Sequence, residues 1–450
     1  MRRWIASALF LAVPGIAGGA EPSVQETVLR AKPAVLLVLA EVTSEVTVTC
    51  PTGGPRRVTP APFRDTGTGW FISPSGWVVT NGHVVSPAHQ PHKGIAEQQI
   101  EQGVRQACGD VGDAATAAAI RGAKIKLAPS ISVILSNGMR FPATVVKYSP
   151  PVAGQGMSGR DLALVKLEAA DMPSLALGDS SNAQIGDRLH ILGFPGVVLS
   201  HELLNASAKV EASVTNGAIS GFKQDIANQP VIQTDAPAAW GNSGGPVVGA
   251  QGEVLGVLTF VTLESGEQGG IVQGFNFVIP AAAVREFLKD TEVKLDEKSS
   301  FNTAWHAGLA DYFAGNYSRA EMHFAEANRL LPELPDVRRM TAEAKNPPPR
   351  PFPWTRVAVV AAVLVVGACG GVLGMRWRRD RYRIRPSEVM RLIETSREAP
   401  PIILDVRDAA TYAKSPVKIP DSRHITSEEL QTGGSALEID TNRTVVAYCT

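Results

Sequence analysis

The chain has 450 residues, too many for one ordinary domain, and its 44% hydrophobic and 19% charged content is that of a folded protein rather than a disordered one. Lysine plus arginine and aspartate plus glutamate each total 43, so no overall field argues for a nucleic acid or another polyanion as partner. With 42 glycines and 32 prolines the composition suits a turn-rich β protein better than a helix bundle.

Taken in chain order, Met1-Arg2-Arg3, the apolar run from Trp4 to Ile16 and the small residues Gly18-Gly19-Ala20 read as an export signal over residues 1–20. Pro14 and Gly15 interrupt the run and leave it too short for an uncleaved anchor. From about Ala34 to Val278, short apolar or alternating runs are separated by Gly, Pro, Asn and Asp. Ala34 to Leu39, Trp70-Phe71-Ile72, Trp77-Val78-Val79, Ile131 to Leu135, Leu162 to Val165 and Val254 to Leu258 are examples. Many short strands with frequent turns predict a mainly β barrel or sandwich in a domain of residues 21–290. Residues 87–128 differ. They are rich in Ala, Gln and Glu with weak helical period, and read as an insertion between strands. Ala281 to Phe287 reads as a closing helix.

Within this domain, Gly241-Asn242-Ser243-Gly244-Gly245-Pro246 brackets a serine with glycines. Glycine lets a substrate approach the backbone closely, and consecutive N–H groups can converge on an oxyanion. The same residues fit the nucleophile elbow of α/β-hydrolases, but an elbow serine opens a helix, whereas Pro246 to Phe260 reads as strand, turn at Gly252, strand. That order also needs its histidine downstream, where only His306, His323 and His424 remain, in other segments. Upstream, Thr80-Asn81-Gly82-His83-Val84-Val85 follows a predicted strand and Asp161 opens one. The order His, Asp, Ser points to a triad of His83, Asp161 and Ser243, with Gly241, Asn242 and Ser243 as the oxyanion hole. His89, His92, His190 and His201 read as surface or core residues, and no spacing of His, Cys and Asp supports a metal site or cofactor.

Asp65-Thr66-Gly67-Thr68-Gly69, the run around His83, Asp161-Leu162-Ala163, Leu177-Gly178-Asp179-Ser180, Leu192-Gly193-Phe194-Pro195, Ile232-Gln233-Thr234-Asp235, the Ser243 loop and Phe277-Val278-Ile279-Pro280 follow one another. Together they resemble the protease domain of the HtrA/DegP family over about residues 25–290. The resemblance implies two six-stranded antiparallel β-barrels and ATP-independent cleavage of unfolded or misfolded envelope proteins. It also implies an activation region that switches the oxyanion hole. Two features depart from the family: the insertion of residues 87–128, and no evident PDZ domain after the protease segment. Pro237-Ala238-Ala239-Trp240 offers no carboxylate to a basic P1 side chain, so small or medium apolar P1 residues are expected.

Residues 300–345 turn helical, with Gly308, Gly315, Tyr317, Ala320, Phe324, Ala327 and Pro332 placed as in a tetratricopeptide helix pair, and Leu309, Tyr312 and Phe313 filling its first helix. A plain amphipathic spacer is the alternative. One repeat cannot bury its own apolar face, so it must dock on the protease domain, a partner or another copy. A proline-rich linker over 346–356 leads to Val357–Met375, an uncharged run that at ~1.5 Å per residue just covers a bilayer core of roughly 30 Å. A buried core helix is the alternative. Arg376, Arg378, Arg379, Arg381, Arg383 and Arg385 follow the span, against Lys345, Arg350 and Arg356 before it, which puts the C-terminal side in the cytoplasm. Gly367, Gly370, Gly371 and Gly374 stand in GxxxG spacings that could pack two spans, though glycine is common in spans generally.

In residues 384–450, Ile402 to Arg407, Tyr412, Ile419-Pro420-Asp421 and Thr444 to Cys449 resemble a rhodanese domain, whose cysteine carries sulfur as a persulfide. The expectation is a partial α/β segment cut short at Thr450, with Cys449 inactive for want of its anion-cradling loop. Cys50 and Cys108 are the two thiols on the exported side, where a disulfide is plausible. Spacing alone does not say whether their Cα atoms approach. The reading as a whole is a periplasmic serine endopeptidase tethered to a bacterial inner membrane by one span. It acts on polypeptides, has a possible protein partner at the helical hairpin, and could form a homo-oligomer. A non-catalytic chaperone or scaffold, or a sensor coupled to a cytoplasmic sulfurtransferase, are the alternatives.

Overall fold

The computed structural model of the chain describes residues 22–449, leaving out 52, 152–158, 264–270, 296, 348–353, 397, 432–438 and 441. The expected export signal lies outside the described residues, as does most of the proline-rich linker. The chain divides into two compact units, the first ending at Pro348 and the second beginning at Pro349.

In the first unit, alternation in the sequence becomes strand faces. β1 (Val35–Thr49), β2 (Pro55–Val58), β3 (Phe63–Ser73), β4 (Trp77–Thr80), β5 (Lys124–Ile134), β6 (Arg140–Ser149) and β7 (Leu162–Lys166) form one sheet. Its order is β2-β1-β3-β4-β7-β6-β5, and β5 pairs back onto β1, so six strands close a barrel and β2 extends its rim. β8 (Arg188–Gly193), β9 (Ser213–Gln224), β10 (Pro230–Thr234), β11 (Pro246–Gly249), β12 (Val254–Leu263) and β13 (Ile271–Pro280) close a second barrel in the order β10-β13-β12-β11-β8-β9. Closure leaves no open edge in either ring. Leu36, Val38, Phe71, Val78 and Val165 fill the first barrel, and Leu189, Ile191, Ile232, Val247 and Val278 fill the second. A third cluster joins them, with Trp70, Val79 and Leu164 from one barrel against Leu192, Phe194, Val248 and Val257 from the other. The site lies along this seam.

The insertion is ordered. It folds as helices Lys93–Cys108 and Asp113–Gly122, whose Val104, Ala107 and Ala119 pack on Val46 and Val48 of β1. Cys50 and Cys108 are bonded, with Cα atoms 5.5 Å apart across 58 residues of sequence. This small cluster is remote from the barrel centre, so the cross-link carries much of its stability. Removing both thiols should cost about 2–4 kcal/mol in the unfolding of this segment. Hydrogen exchange of residues 93–122, with and without a Cys50→Ala/Cys108→Ala double substitution, reads that loss directly.

The helical segment docks on the first barrel. Helices Ser300–Phe313, Tyr317–Leu330 and Pro335–Lys345 place Phe301, Trp305, Phe324 and Met340 in one core with residues of β1 and β3. Trp305 Nε1 donates to Leu29 O at 2.8 Å, pinning the segment to the N-terminal helix Val24–Ala31. Gly308 is small because Phe324 lies where its Cβ would stand, 2.5 Å away.

The second unit begins with the described helix Trp354–Asp380, of which Val357–Asp380 is long and apolar enough to cross a membrane. The sequence reading ended the run at Met375; the helix continues through the arginines, which are strong helix formers. Further on, β14 (Ile402–Asp405), β15 (Arg423–His424) and β16 (Val445–Tyr448) form a parallel sheet in the order β15-β14-β16. Arg407 is buried against Asp405, which also accepts from Tyr448 Oη at 2.6 Å and is held well below the usual carboxylate range, first by the Arg407 hydrogen bonds. Cys449 is exposed just after β16.

Candidate active site

β4 and β7 are antiparallel partners, with Thr80 opposite Ala163. The residues after β4 and before β7 therefore emerge at the same end, which brings His83 beside Asp161 although 78 positions separate them. His83 sits in the first turn of helix Gly82–His89. Its backbone N–H donates to Asp161 Oδ1 at 2.8 Å, and its Nδ1 lies 2.8 Å from Asp161 Oδ2. Asp161 holds a left-handed backbone with φ of 51°, fixed by its own N–H on Pro150 O at 3.0 Å and by Asn81 Nδ2 on its carbonyl at 2.8 Å. A non-glycine residue there is strained, and the surrounding bonds hold it. Gly82 permits the approach, since a Cβ at that position would stand 2.4 Å from Ser149 O.

An ionised carboxylate only accepts, so Nδ1 donates to Asp161 and Nε2 is left as the basic nitrogen. Asp161 Oδ2 accepts a further bond from Thr259 Oγ1 at 2.7 Å. Burial lowers the proton affinity of His83, but the Asp161 hydrogen bond and charge, with a smaller push from Asp65, outweigh it and raise the pKa above the ordinary 6.5. For a neutral His83 ring acting as general base, kcat/KM should rise with pH through a limb above 6.5 and level off beyond it. Asp65→Asn removes one of the raising charges and should move that limb to lower pH. A wild-type limb below 6.5, or no movement in the variant, would count against this electrostatic account.

Ser243 lies at the entrance to β11, on the seam between the barrels. Its hydroxyl donates to Thr259 O at 3.1 Å, so at rest the serine is held on β12 rather than bonded to the imidazole. Gly241 has φ of +96°, and its carbonyl accepts from Thr68 Oγ1 at 2.7 Å. The carbonyl of Trp240 accepts from Gly196 N at 2.6 Å. Among the described residues, the N–H groups of Gly241 and Ser243 meet no protein acceptor. Asn242 is a correction to the expected hole: its N–H donates to Ala239 O at 3.1 Å, closing a turn, and so is not offered to a ligand.

Two residues that sequence reasoning missed hold this arrangement. Thr259 touches Asp161 with its hydroxyl and Ser243 with its carbonyl. Thr68 donates to Gly241 O, accepts from Phe194 N at 3.0 Å and takes Ser243 O on its own N–H at 2.8 Å. For Thr259 the available signal was a hydroxyl within the apolar run from Val254 to Phe260, and for Thr68 its place between Gly67 and Gly69. His190, read as bland, lies 2.7 Å from Asn216 Oδ1 on the neighbouring strand. A cleft of 480 Å³ opens beside His83, Asp161 and Thr259, walled by Ile226, Val231 and Ile279. Trp240, 62% exposed, precedes Gly241.

Residues 67–257 match the family described as the trypsin-like peptidase domain. Among curated proteins, the chain is 31% identical over 219 residues to a probable periplasmic serine endoprotease, DegP-like, of Chlamydia pneumoniae, covering 48% of this chain and 32% of that protein. It is 27% identical over 244 residues to serine protease HTRA4 of Homo sapiens, covering 54% and 38%. A solved structure of the HtrA-type protease AlgW with a decapeptide aligns at 24% identity and a TM-score of 0.37, covering 60% of this chain and 68% of that one. The chain thus spans about a third of the length of the curated relatives named. Over residues 67–257 the chain thus matches the trypsin-like peptidase domain, and over the shared stretch it is similar to serine endoproteases of the HtrA type.

Proposed function

We propose that the whole chain is a serine endopeptidase that cuts unfolded or misfolded envelope polypeptides, with the protease unit in the periplasm, tethered by the span at Val357–Asp380. The observation that carries the reading is one cluster. It comprises a His83–Asp161 pair at 2.8 Å, a serine on the same seam, and the Gly241 and Ser243 N–H groups, which meet no acceptor among the described residues. In this scheme His83 Nε2 takes the Ser243 proton as Oγ bonds to the scissile carbonyl carbon. The developing O⁻ is received by Gly241 and Ser243 N–H, and Asp161 stabilises the imidazolium. His83 returns the proton to the departing amine. Water then repeats the sequence on the acyl-enzyme and frees the serine.

A fluorophosphonate probe tests this: wild-type protein is labelled and Ser243→Ala is not. The alternative is a non-catalytic scaffold, with the resting bond from Ser243 Oγ to Thr259 O kept in place, and failure to label either protein would support it. The segment Pro237-Ala238-Ala239-Trp240 before Gly241 offers no carboxylate to a basic P1 side chain, and Ile226, Val231 and Ile279 wall the cleft, which supports an apolar P1 preference. A peptide library should therefore be cut after small or medium apolar residues; preferred cleavage after Arg or Lys would end that part. The arginines after the span support a cytoplasmic C-terminal segment of rhodanese ancestry, and the docked helices support tetratricopeptide ancestry for residues 300–345.

A further inference from the structure

Lys32 is 8% exposed and Asp336 only 2%, an unusual depth for charged side chains unless they are paired. Lys32 Nζ donates to Glu211 Oε1 at 2.5 Å and to Asp336 Oδ1 at 3.1 Å. Arg339, one turn beyond Asp336, pairs with it and approaches Glu211 Oε1 at 3.6 Å. Burial would raise the Glu211 carboxyl, yet Lys32 and Arg339 outweigh that and hold it below its ordinary range. Three segments meet here: the turn before β1, the β8–β9 connection and the helical segment. A buried ion cluster is weak evidence of stability, since desolvation offsets most of the attraction; its best-attested use is to fix one register among parts.

The register that it fixes borders the catalytic loop. The β8–β9 ladder ends at Gly193 opposite Ser213, so Pro195 and Glu211 stand two residues beyond that pair on the two strands. The next residue, Gly196, donates its N–H to Trp240 O at 2.6 Å. The Trp240 carbonyl and the Gly241 N–H belong to one planar trans peptide and point in opposite directions. Anchoring that oxygen on Gly196 therefore fixes the Gly241 N–H on the opposite side of the peptide. Between Gly196 and Val210 the connection has little packing of its own. Its helices Gly196–Leu199 and Ala206–Lys209 contribute no buried residue, and Val197 and Leu203 are exposed. Its two ends are held instead, one at Trp240 and the other at the charge cluster.

We propose that Lys32, Glu211, Asp336 and Arg339 form a clamp through which the helical segment of residues 300–345 positions Gly196 under Trp240, and so keeps the oxyanion hole formed. Glu211 and Asp336 are positioning residues: neither touches substrate. The proposal rests on the endopeptidase reading, and its test separates the two. Fluorophosphonate labelling rate, peptide kcat and KM, and melting temperature are measured for the full chain, Ser243→Ala, Glu211→Gln and Asp336→Asn. Since removing one oxyanion donor costs about 10²–10³ in kcat, misplacing it should lower kcat and the labelling rate roughly 10–100-fold, with KM nearly unchanged. Labelling and kcat kept within about threefold of wild type in both folded variants would overturn the clamp and leave the endopeptidase reading standing. A rise in KM alone would overturn it too, by assigning these residues to binding. No labelling of the wild type would remove the endopeptidase reading itself. Should either variant fail to fold, Arg339→Gln, whose side chain is 46% exposed, carries the same comparison.

Discussion

Replacing His83 by alanine should lower kcat for peptide cleavage by about 10⁴–10⁶-fold with KM changed only a few-fold, because the loss falls on the transition state and not on substrate binding. The reason lies in proton inventory. A serine hydroxyl is a poor nucleophile at neutral pH, and the polar contact that Ser243 Oγ makes at rest is to the Thr259 backbone carbonyl, which accepts a hydrogen bond but cannot carry a proton away. Without the imidazole nothing close by removes that proton. Ser243→Ala should fall to the same floor, and the double variant should be no slower than either single one, since the two groups act as one unit. What survives is the roughly 10³–10⁴-fold advantage over water that the hole and substrate binding supply. Steady-state kinetics on the two single variants and the double variant check this. Multiplying losses would show that His83 and Ser243 act independently, contrary to the shared proton.

The side chains proposed to carry chemistry each sit in a short motif with turn glycines or strand context around it, which is what made them legible as candidates. His83, Asp161 and Ser243 are of this kind. The barrels were legible as strand and turn texture. Barrel closure came only through the family resemblance, because the pairing of β5 with β1 is a long-range register that no local pattern encodes. Thr259 and Thr68 escaped for a different reason. Their effect runs largely through backbone atoms, a carbonyl on Ser243 Oγ and an N–H on Ser243 O, and any residue has those atoms. The same reason explains why Asn242 was included in the hole: only the folded turn shows its N–H already spent on Ala239. Docking of the helical segment was left open as one of three options, and the burial of Trp305 and Phe324 against Leu29 and Leu36 decides it. Cys50 and Cys108 could be paired only once the insertion was seen to fold back onto the end of β1.

Gly241→Ala should cost about 10²–10³-fold in kcat, the loss expected for one oxyanion donor, with KM retained and His83 and Asp161 still bonded. Two independent constraints meet at this position. Its φ of +96° is one that L side chains rarely adopt, and a Cβ there would stand 2.4 Å from Phe194 O. The cheapest relief is rotation of the 240–241 peptide, which breaks the bond from Gly196 N to Trp240 O and turns the Gly241 N–H out of the hole. Gly252→Ala supplies the control: its φ is +89° but nothing lies within 4 Å of the added atom. That variant should lose about 1 kcal/mol of stability from backbone strain alone and keep full kcat. If both alanines reduced kcat alike, general loosening of the second barrel would explain the effect; if only Gly241→Ala did, the cause is the direction of one N–H. The contrast isolates hole geometry from fold stability, because the two positions share the strained backbone and differ in what surrounds it.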